Sequence, residues 1–440
     1  MARSESGNGH SRNEALWKLL DQLEWSVRGF ASRVHQYCQA AGIDYTGNPG
    51  TVSRWCANKT VPSPPLATAA CYVLSDALRQ PVRPESLGWP AHSPDIAVES
   101  LEYLDVPHAV RVLAKLWDLD ARRDRRLVKK TFFAGVFGAA SREALVMPPD
   151  ADLSGRGGYK VSVADIELLD DQTALYGRLD ARHGGGRFRS VFAAFLSAQA
   201  VPLLRGSFTA RLGRRLYGSV TDAVLAMASM AYDDQLPGLA QRYDLQAMRL
   251  AQAIGDRARI ARVHIHQARL AASQGDRREV LTHARSAVLA CDGAPPLVRS
   301  YAAITEARAW AFNGDAAQTL DAVTRARESF GRASPRTDPP WLAWFDEHEL
   351  EGQAAWAFAV AGLVEPGAQA LKAAMDMPSD RTRDNVELLI TAAELARVQG
   401  DFSEHAAQAQ RAADLARGLT SRRLAARIER LAVHRPLDDF

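Results

Sequence analysis

Gly275-Asp276-Arg277-Arg278-Glu279-Val280-Leu281-Thr282-His283-Ala284-Arg285-Ser286-Ala287 is the stretch that decides the fold. A turn pair, Gly-Asp, precedes a helical segment whose ninth and twelfth positions past the glycine are small. The same grammar returns three more times: Gly314-Asp315 leads to Val323 and Ala326, Gly362-Leu363 to Leu371 and Ala374, and Gly400-Asp401 to Ala409 and Ala412. A fainter copy at Gln235 lacks the glycine but reaches Asp244 and Ala247 at the same offsets. The intervals are 40, 39, 48 and 38 residues. A period near forty with glycine between helical stretches marks stacked helix pairs, each burying its apolar side on its neighbours. Small residues at the repeated offsets let the second helix of each pair lie close. Such arrays recognise partners along a concave face, so binding rather than catalysis is expected.

The surplus in the interval of 48 falls on Ser334-Pro-Arg-Thr-Asp-Pro-Pro340, a breaker cluster that predicts a loop before a helix over 341–361. That segment gathers Trp341, Trp344, Asp346 and Glu347, candidate effector-binding residues, because aromatic rings and carboxylates together hold a basic or apolar guest; the alternative is packing, with Trp344 and Trp356 wedging neighbouring pairs together. Further upstream, Ser162-Val-Ala-Asp165 reads as a capping box, and Gly184-Gly185-Gly186 as a helix break.

Residues 13–90 read as a separate helical unit. Asn13 caps a first helix, Ser26 begins a second, and Asn48-Pro49 opens a short third with Val52, Trp55 and Cys56 on its inner side. Thr51, Ser53 and Arg54 fall on the opposite side, with Asn58 and Lys59 at its exit. A short helix with a polar outer face fits a major groove about 12 Å wide. These five residues are the candidate DNA contacts, with Arg54 the base reader. Residues 1–12 are expected to be a flexible terminus, and 91–160 a helical connector closed by a flexible link from Pro148 through the glycines at 155, 157 and 158. The connector carries Arg122, Arg123, Arg125 and Arg126, candidate phosphate contacts in the densest basic run of the chain, the alternative being a solvated helix face.

Composition narrows the functions. The 440 residues exceed one core, and a net charge of +3 gives no global attraction for nucleic acid. Residues 1–90 hold nine Lys or Arg against seven Asp or Glu, so binding there would depend on specific docking. Cys38, Cys56, Cys71 and Cys291 make no CxxC pair, which predicts reduced, buried thiols and a cytoplasmic protein. The twin-arginine look of Arg125-Arg126 ahead of an apolar run lies after a whole domain, so export and membrane insertion are not expected. No phosphate-binding loop, zinc-protease helix or nucleophile elbow occurs, and neither an enzyme nor a cofactor is expected.

The first unit resembles the helix-turn-helix of Xre/Cro-like repressors, through Phe30-Ala31, Val52-Ser53-Arg54-Trp55 and Asn58-Lys59-Thr60-Val61-Pro62. It departs in the longer link from Ala40 to Pro49 and in Asn58, where those families carry glycine. Residues 161–435 resemble tetratricopeptide repeats of lengthened period. Gly184–Gly186, Pro202-Leu-Leu-Arg-Gly-Ser207, Met230-Ala-Tyr-Asp233, Gly238–Tyr243 and Asp338–Glu347 together resemble actinobacterial regulators of the negative-regulator-of-differentiation type. The resemblance implies an all-α protein: an N-terminal helix-turn-helix, then a tetratricopeptide-like α-solenoid. It further implies a transcriptional regulator of development or specialised metabolism, binding double-stranded DNA as a homodimer and answering to a peptide, small-molecule or protein effector. The alternative is a repeat-based adaptor that binds protein and no DNA.

Overall fold

The structure, a computed structural model, describes residues 12–41, 45, 47–78, 82–90, 99–124, 127, 132, 136–375 and 381–432. The described residues are all-α apart from one two-residue strand pair, and the chain divides into two compact units after Glu102, with Val136 grouped with the first. The expected flexible residues 1–11 lie outside the described ones.

The first unit comprises α1 (Glu14–Gln22), α2 (Val27–Ala41), α3 (Pro49–Cys56) and α4 (Pro64–Leu78), followed by a 3-10 turn at Pro84–Leu87. Leu16, Leu20, Phe30, Val34, Val52, Trp55, Cys71 and Leu74 form its core. Asn13 does more than cap α1. Its Oδ1 accepts the Leu16 amide at 3.0 Å, its Nδ2 donates to Leu87 O at 2.9 Å, and its own amide donates to Cys56 O at 2.9 Å. One buried side chain thereby fastens the start of α1 to the end of α3 and to the closing turn.

In the second unit α5 (Val106–Ala121) and α6 (Phe137–Val146) come first, then α7 (Val163–His183), α8 (Arg189–Phe195) and α9 (Val201–Leu204). Five helix pairs follow: α10 (Ala210–Asp233) with α11 (Pro237–Ile254), α12 (Arg257–Ser273) with α13 (Arg277–Ala290), α14 (Pro296–Asn313) with α15 (Ala316–Phe330), α16 (Glu347–Val360) with α17 (Val364–Ala374), and α18 (Thr382–Gln399) with α19 (Phe402–Ala416). The last helix is α20 (Arg422–Ala432).

The repeated turns share one backbone device. Gly275, Gly314, Gly362 and Gly400 all sit at positive φ, and Gln235, in the copy without glycine, holds φ 56°. A left-handed residue ends the first helix of each pair and reverses the chain. At three of the turns the following Asp caps the second helix: Asp276, Asp315 and Asp401 accept the amides of Glu279, Gln318 and Glu404 at 2.9–3.1 Å. Each such cap stabilises its helix by about 1 kcal/mol. Of the ten offset positions, Leu371 and Ala409 are half-buried and the others are buried. The small residues do lie at the close contacts.

Two expectations change. The segment from Pro148 to Gly158 is an ordered strap rather than a flexible link. Asp150 pairs with Arg249 at 2.7 Å, Pro148 O accepts from Gln252, and Gly155–Arg156 pairs antiparallel with Ser207–Phe208. Its glycines serve close approach: a Cβ on Gly157 would stand 1.7 Å from Arg205 O. The helix expected over 341–361 runs only over Glu347–Val360, because Pro339-Pro340 starts a 3-10 turn and Asp346 caps the helix, accepting the Glu349 amide at 3.0 Å.

The array closes on itself. α7 packs against both α10 and α18, and α20 packs against α10. At the closure, Thr420 N donates to His183 O at 2.8 Å and Gly186 N to Thr420 O at 3.2 Å. Ser421 Oγ donates to Asp233 Oδ1 at 2.7 Å, while Gly185 N donates to Asp233 Oδ2 at 3.2 Å. The triple glycine read as a helix break is thus a clasp between the first pair and the last helix.

Candidate functional site

Two places carry concentrated chemistry, one in each unit. In the first, α3 starts where Asn48 Oδ1 accepts the Gly50 amide at 2.8 Å and Pro49 takes the first helical position. The long α2–α3 link is anchored from below: His35 Nδ1 contacts Tyr45 O at 2.8 Å, and Gly47 (φ 71°) lies so close over His35 that a Cβ would meet its ring at 2.7 Å. Val52, Trp55 and Cys56 are buried, and Trp55 lies between Tyr45 and Trp89 with ring centroids at 6.4 and 6.0 Å. This fixes the rotation of α3 about its axis.

Ser53 and Arg54 are exposed and Thr51 is half-buried; Asn58, Lys59 and Thr60 continue the exposed surface. Arg54 Nη2 reaches Thr51 Oγ1 at 3.4 Å. Asn58 holds φ 51°, a left-handed exit that Asn tolerates better than most residues. All five candidate DNA contacts therefore gather on and just beyond one short helix.

Arg122 and Arg123 of the basic run are both exposed. Arg122 pairs with Asp118 at 2.7 Å, and Arg123 Nε donates to Ser190 Oγ at 3.0 Å. Arg125 and Arg126 lie outside the described residues.

In the second unit the closed array surrounds a cavity of about 1690 Å³. Its wall is built from α7, from turns between the pairs and from the first helices of the pairs, which turn inward residues spaced three, four or seven apart: Arg262, His266 and Arg269 on α12, and Tyr301, Thr305 and Arg308 on α14. Of the candidate effector residues, Trp341, Trp344 and Asp346 line the cavity, whereas Glu347 is exposed outside it and Glu349 takes the inward place. Trp344 meets Tyr301 edge-on at 5.4 Å.

The lining holds twelve arginines and nine carboxylates. Asp222 pairs with Arg259 at 2.6 Å and Arg262 at 3.0 Å, and Arg381 bridges Asp346 and Glu349, each at 2.9 Å. Glu387 binds Arg423 at 2.5 Å and also Arg427; burial pushes its carboxyl up, but those guanidinium groups outweigh burial and hold it well below the usual range. Glu349 goes the other way: burial, then neighbouring Asp384, raise it to about 7 against the pull of Arg381. His264 and His283, 5.8 Å apart between α12 and α13, are depressed by burial to about 3 and about 4. Most of these arginines escaped the sequence reading. The available signal was a guanidinium every three or four residues on otherwise apolar helices.

A family model described as the SP15 N-terminal domain matches residues 16–90, the span of α1 to α4 and the turn that closes them. No curated protein and no solved structure matches the chain. Among the described residues no helix is long and apolar enough to cross a membrane.

Proposed function

We propose that this chain is a DNA-binding transcriptional regulator. α2 and α3 act as a helix-turn-helix, α3 enters the major groove, and the tetratricopeptide-like array binds an effector in its cavity and pairs two copies. The observation that carries the reading is the outer side of α3: Ser53 and Arg54 point to solvent from a helix whose other face is locked in a core by Val52, Trp55 and Cys56. In such docking, residues near the start of the recognition helix meet base edges while the preceding helix crosses the backbone. Arg54 suits a paired contact to guanine, and Thr51, Ser53, Asn58 and Lys59 suit neighbouring base or phosphate contacts. Two-fold pairing would set the two α3 helices about 34–36 Å apart on an inverted repeat.

Selection of duplexes from a random library by the full chain tests this. An enriched inverted repeat is expected, with affinity on it reduced by about 1–3 kcal/mol in Arg54→Ala. No enrichment would favour the adaptor reading, in which both units bind protein.

A further inference from the structure

The cavity sorts its charges unevenly. Asp222, Asp180, Asp346, Glu349 and Glu387 are each tied to an arginine. Arg269 is not. Among the described residues no carboxylate lies within ion-pair distance of it. Its guanidinium stands 4.9 Å over the Tyr232 ring, and its Nε is buried without a hydrogen-bond partner. Asp244, whose charge interacts with that of Arg269, is held toward its neutral form by burial, although Arg269 and Arg262 pull the other way.

Two more guanidinium groups stack on aromatic rings as this one does, Arg262 while paired with Asp222. Arg262 lies 4.8 Å over Trp341, and Arg308 lies 4.9 Å over Trp356 while its Nη1 donates to Gln353 Oε1 at 3.3 Å. Arg269 is close enough to Arg308 that its charge, after burial, helps hold Arg308 down at about 10. A cluster of three stacked guanidinium groups, in which Arg269 has no ion-pair carboxylate among the described residues, thus sits beside three tryptophans in a cavity larger than the roughly 300–1000 Å³ usual for small-ligand sites.

We propose that the cavity binds an organic anion with a flat apolar body. Its carboxylate or phosphate meets Arg269 and Arg308, and its body lies against Trp341, Trp344 and Trp356. Such an anion supplies the charge that the wall lacks and would be favoured by charge-assisted hydrogen bonds in a partly desolvated setting. The inference deepens the effector part of the proposed function and does not depend on DNA docking. A failed duplex selection would leave it standing, and its own failure would leave α3 untouched.

The test titrates the full-length protein with anilinonaphthalene sulfonate and, in parallel, with uncharged N-phenyl-1-naphthylamine. The sulfonate dye is expected to bind more tightly, with energy transfer from tryptophan and an affinity that falls as salt rises. Arg269→Gln is expected to weaken the sulfonate dye about tenfold, a loss of about 1.4 kcal/mol, and to leave the neutral dye unchanged. Arg269→Lys is expected to retain most of the binding, and the exposed Arg285→Gln all of it. Displacement of the dye by phenylacetate or by phenyl phosphate then tells which head group is preferred. Equal binding of the two dyes, salt-independent binding in the wild type, an unaffected Arg269→Gln variant, or displacement by neither anion would each overturn the proposal. If Arg269→Gln does not fold, as judged by circular dichroism, the dye comparison and salt series in the wild type decide.

Discussion

Replacing Gly184 with alanine is expected to open the clasp, and the structure allows the cost to be sized. Gly184 holds φ 83° and ψ 150°, a conformation that residues with a Cβ adopt only under strain of about 1–3 kcal/mol. The new Cβ would stand 2.8 Å from the Thr420 carbonyl carbon and 2.9 Å from its oxygen. Both are backbone atoms and cannot rotate aside, so overpacking adds about 1–3 kcal/mol more. The total centres near 4 kcal/mol, from about 2 to 6. Gly362→Ala is the internal control. Its φ of 74° is also positive, but nothing lies within 4 Å of the added Cβ, so only left-handed strain remains, about 1–2 kcal/mol. Urea unfolding of both variants gives the difference. Hydrogen exchange at Thr420, whose amide donates to His183 O, gives its location. Gly184→Ala costing no more than Gly362→Ala, with Thr420 still protected, would refute the clasp.

Other outcomes follow from the buried charges. Glu387→Gln removes the carboxylate that Arg423 and Arg427, both buried, share, leaving Arg423 its longer pair with Asp233 at 3.5 Å, and should destabilise by about 3–5 kcal/mol in urea unfolding; a loss below about 1 kcal/mol would show that the network is not integral to the fold. His264 and His283 take up protons less readily folded, at about 3 and 4, than unfolded, near 6.5. Their stabilisation is therefore complete above about pH 6.5 and falls as pH drops toward 4, by up to about 2.7 kcal/mol per pH unit for the two together. Glu349, raised to about 7, contributes in the opposite sense, gaining stability as pH falls from 7 through the unfolded value of 4.5. The histidine share is thus read as the difference between wild type and a His264→Gln, His283→Gln double variant, which should shift in the variant's favour from pH 7 to 5. A constant difference would contradict the assignment.

Local signals carried much of the architecture into the sequence. The turn glycines and the aspartates after them mark helix reversals through φ and capping, which are properties of a few adjacent residues. So do Asn48-Pro49 at α3 and the Ser162–Asp165 box, where both reciprocal hydrogen bonds form. The closure of the array was hidden, because it depends on rotation accumulated over five pairs. Gly184–Gly186 read rightly as a break, since α7 ends at His183, but the close approach of Thr420 to it was not legible. The strap at 148–158 misled for a related reason: glycine permits flexibility and close packing alike, and only the partner strand at Ser207–Phe208 distinguishes them. On α3 the inward Val52, Trp55 and Cys56 were legible from helical spacing, and that alone positions Arg54. The cavity arginines were not, since a charge on a helix is ordinarily solvated and nothing local says that it faces a cavity.

Genome-wide immunoprecipitation of the full-length protein, set beside its Arg54→Ala variant at equal abundance, is the most direct trial of the gene-control reading. Discrete promoter peaks sharing an inverted repeat, and collapsing in the variant, are the expected result. An absence of peaks, or peaks indifferent to Arg54, would contradict it.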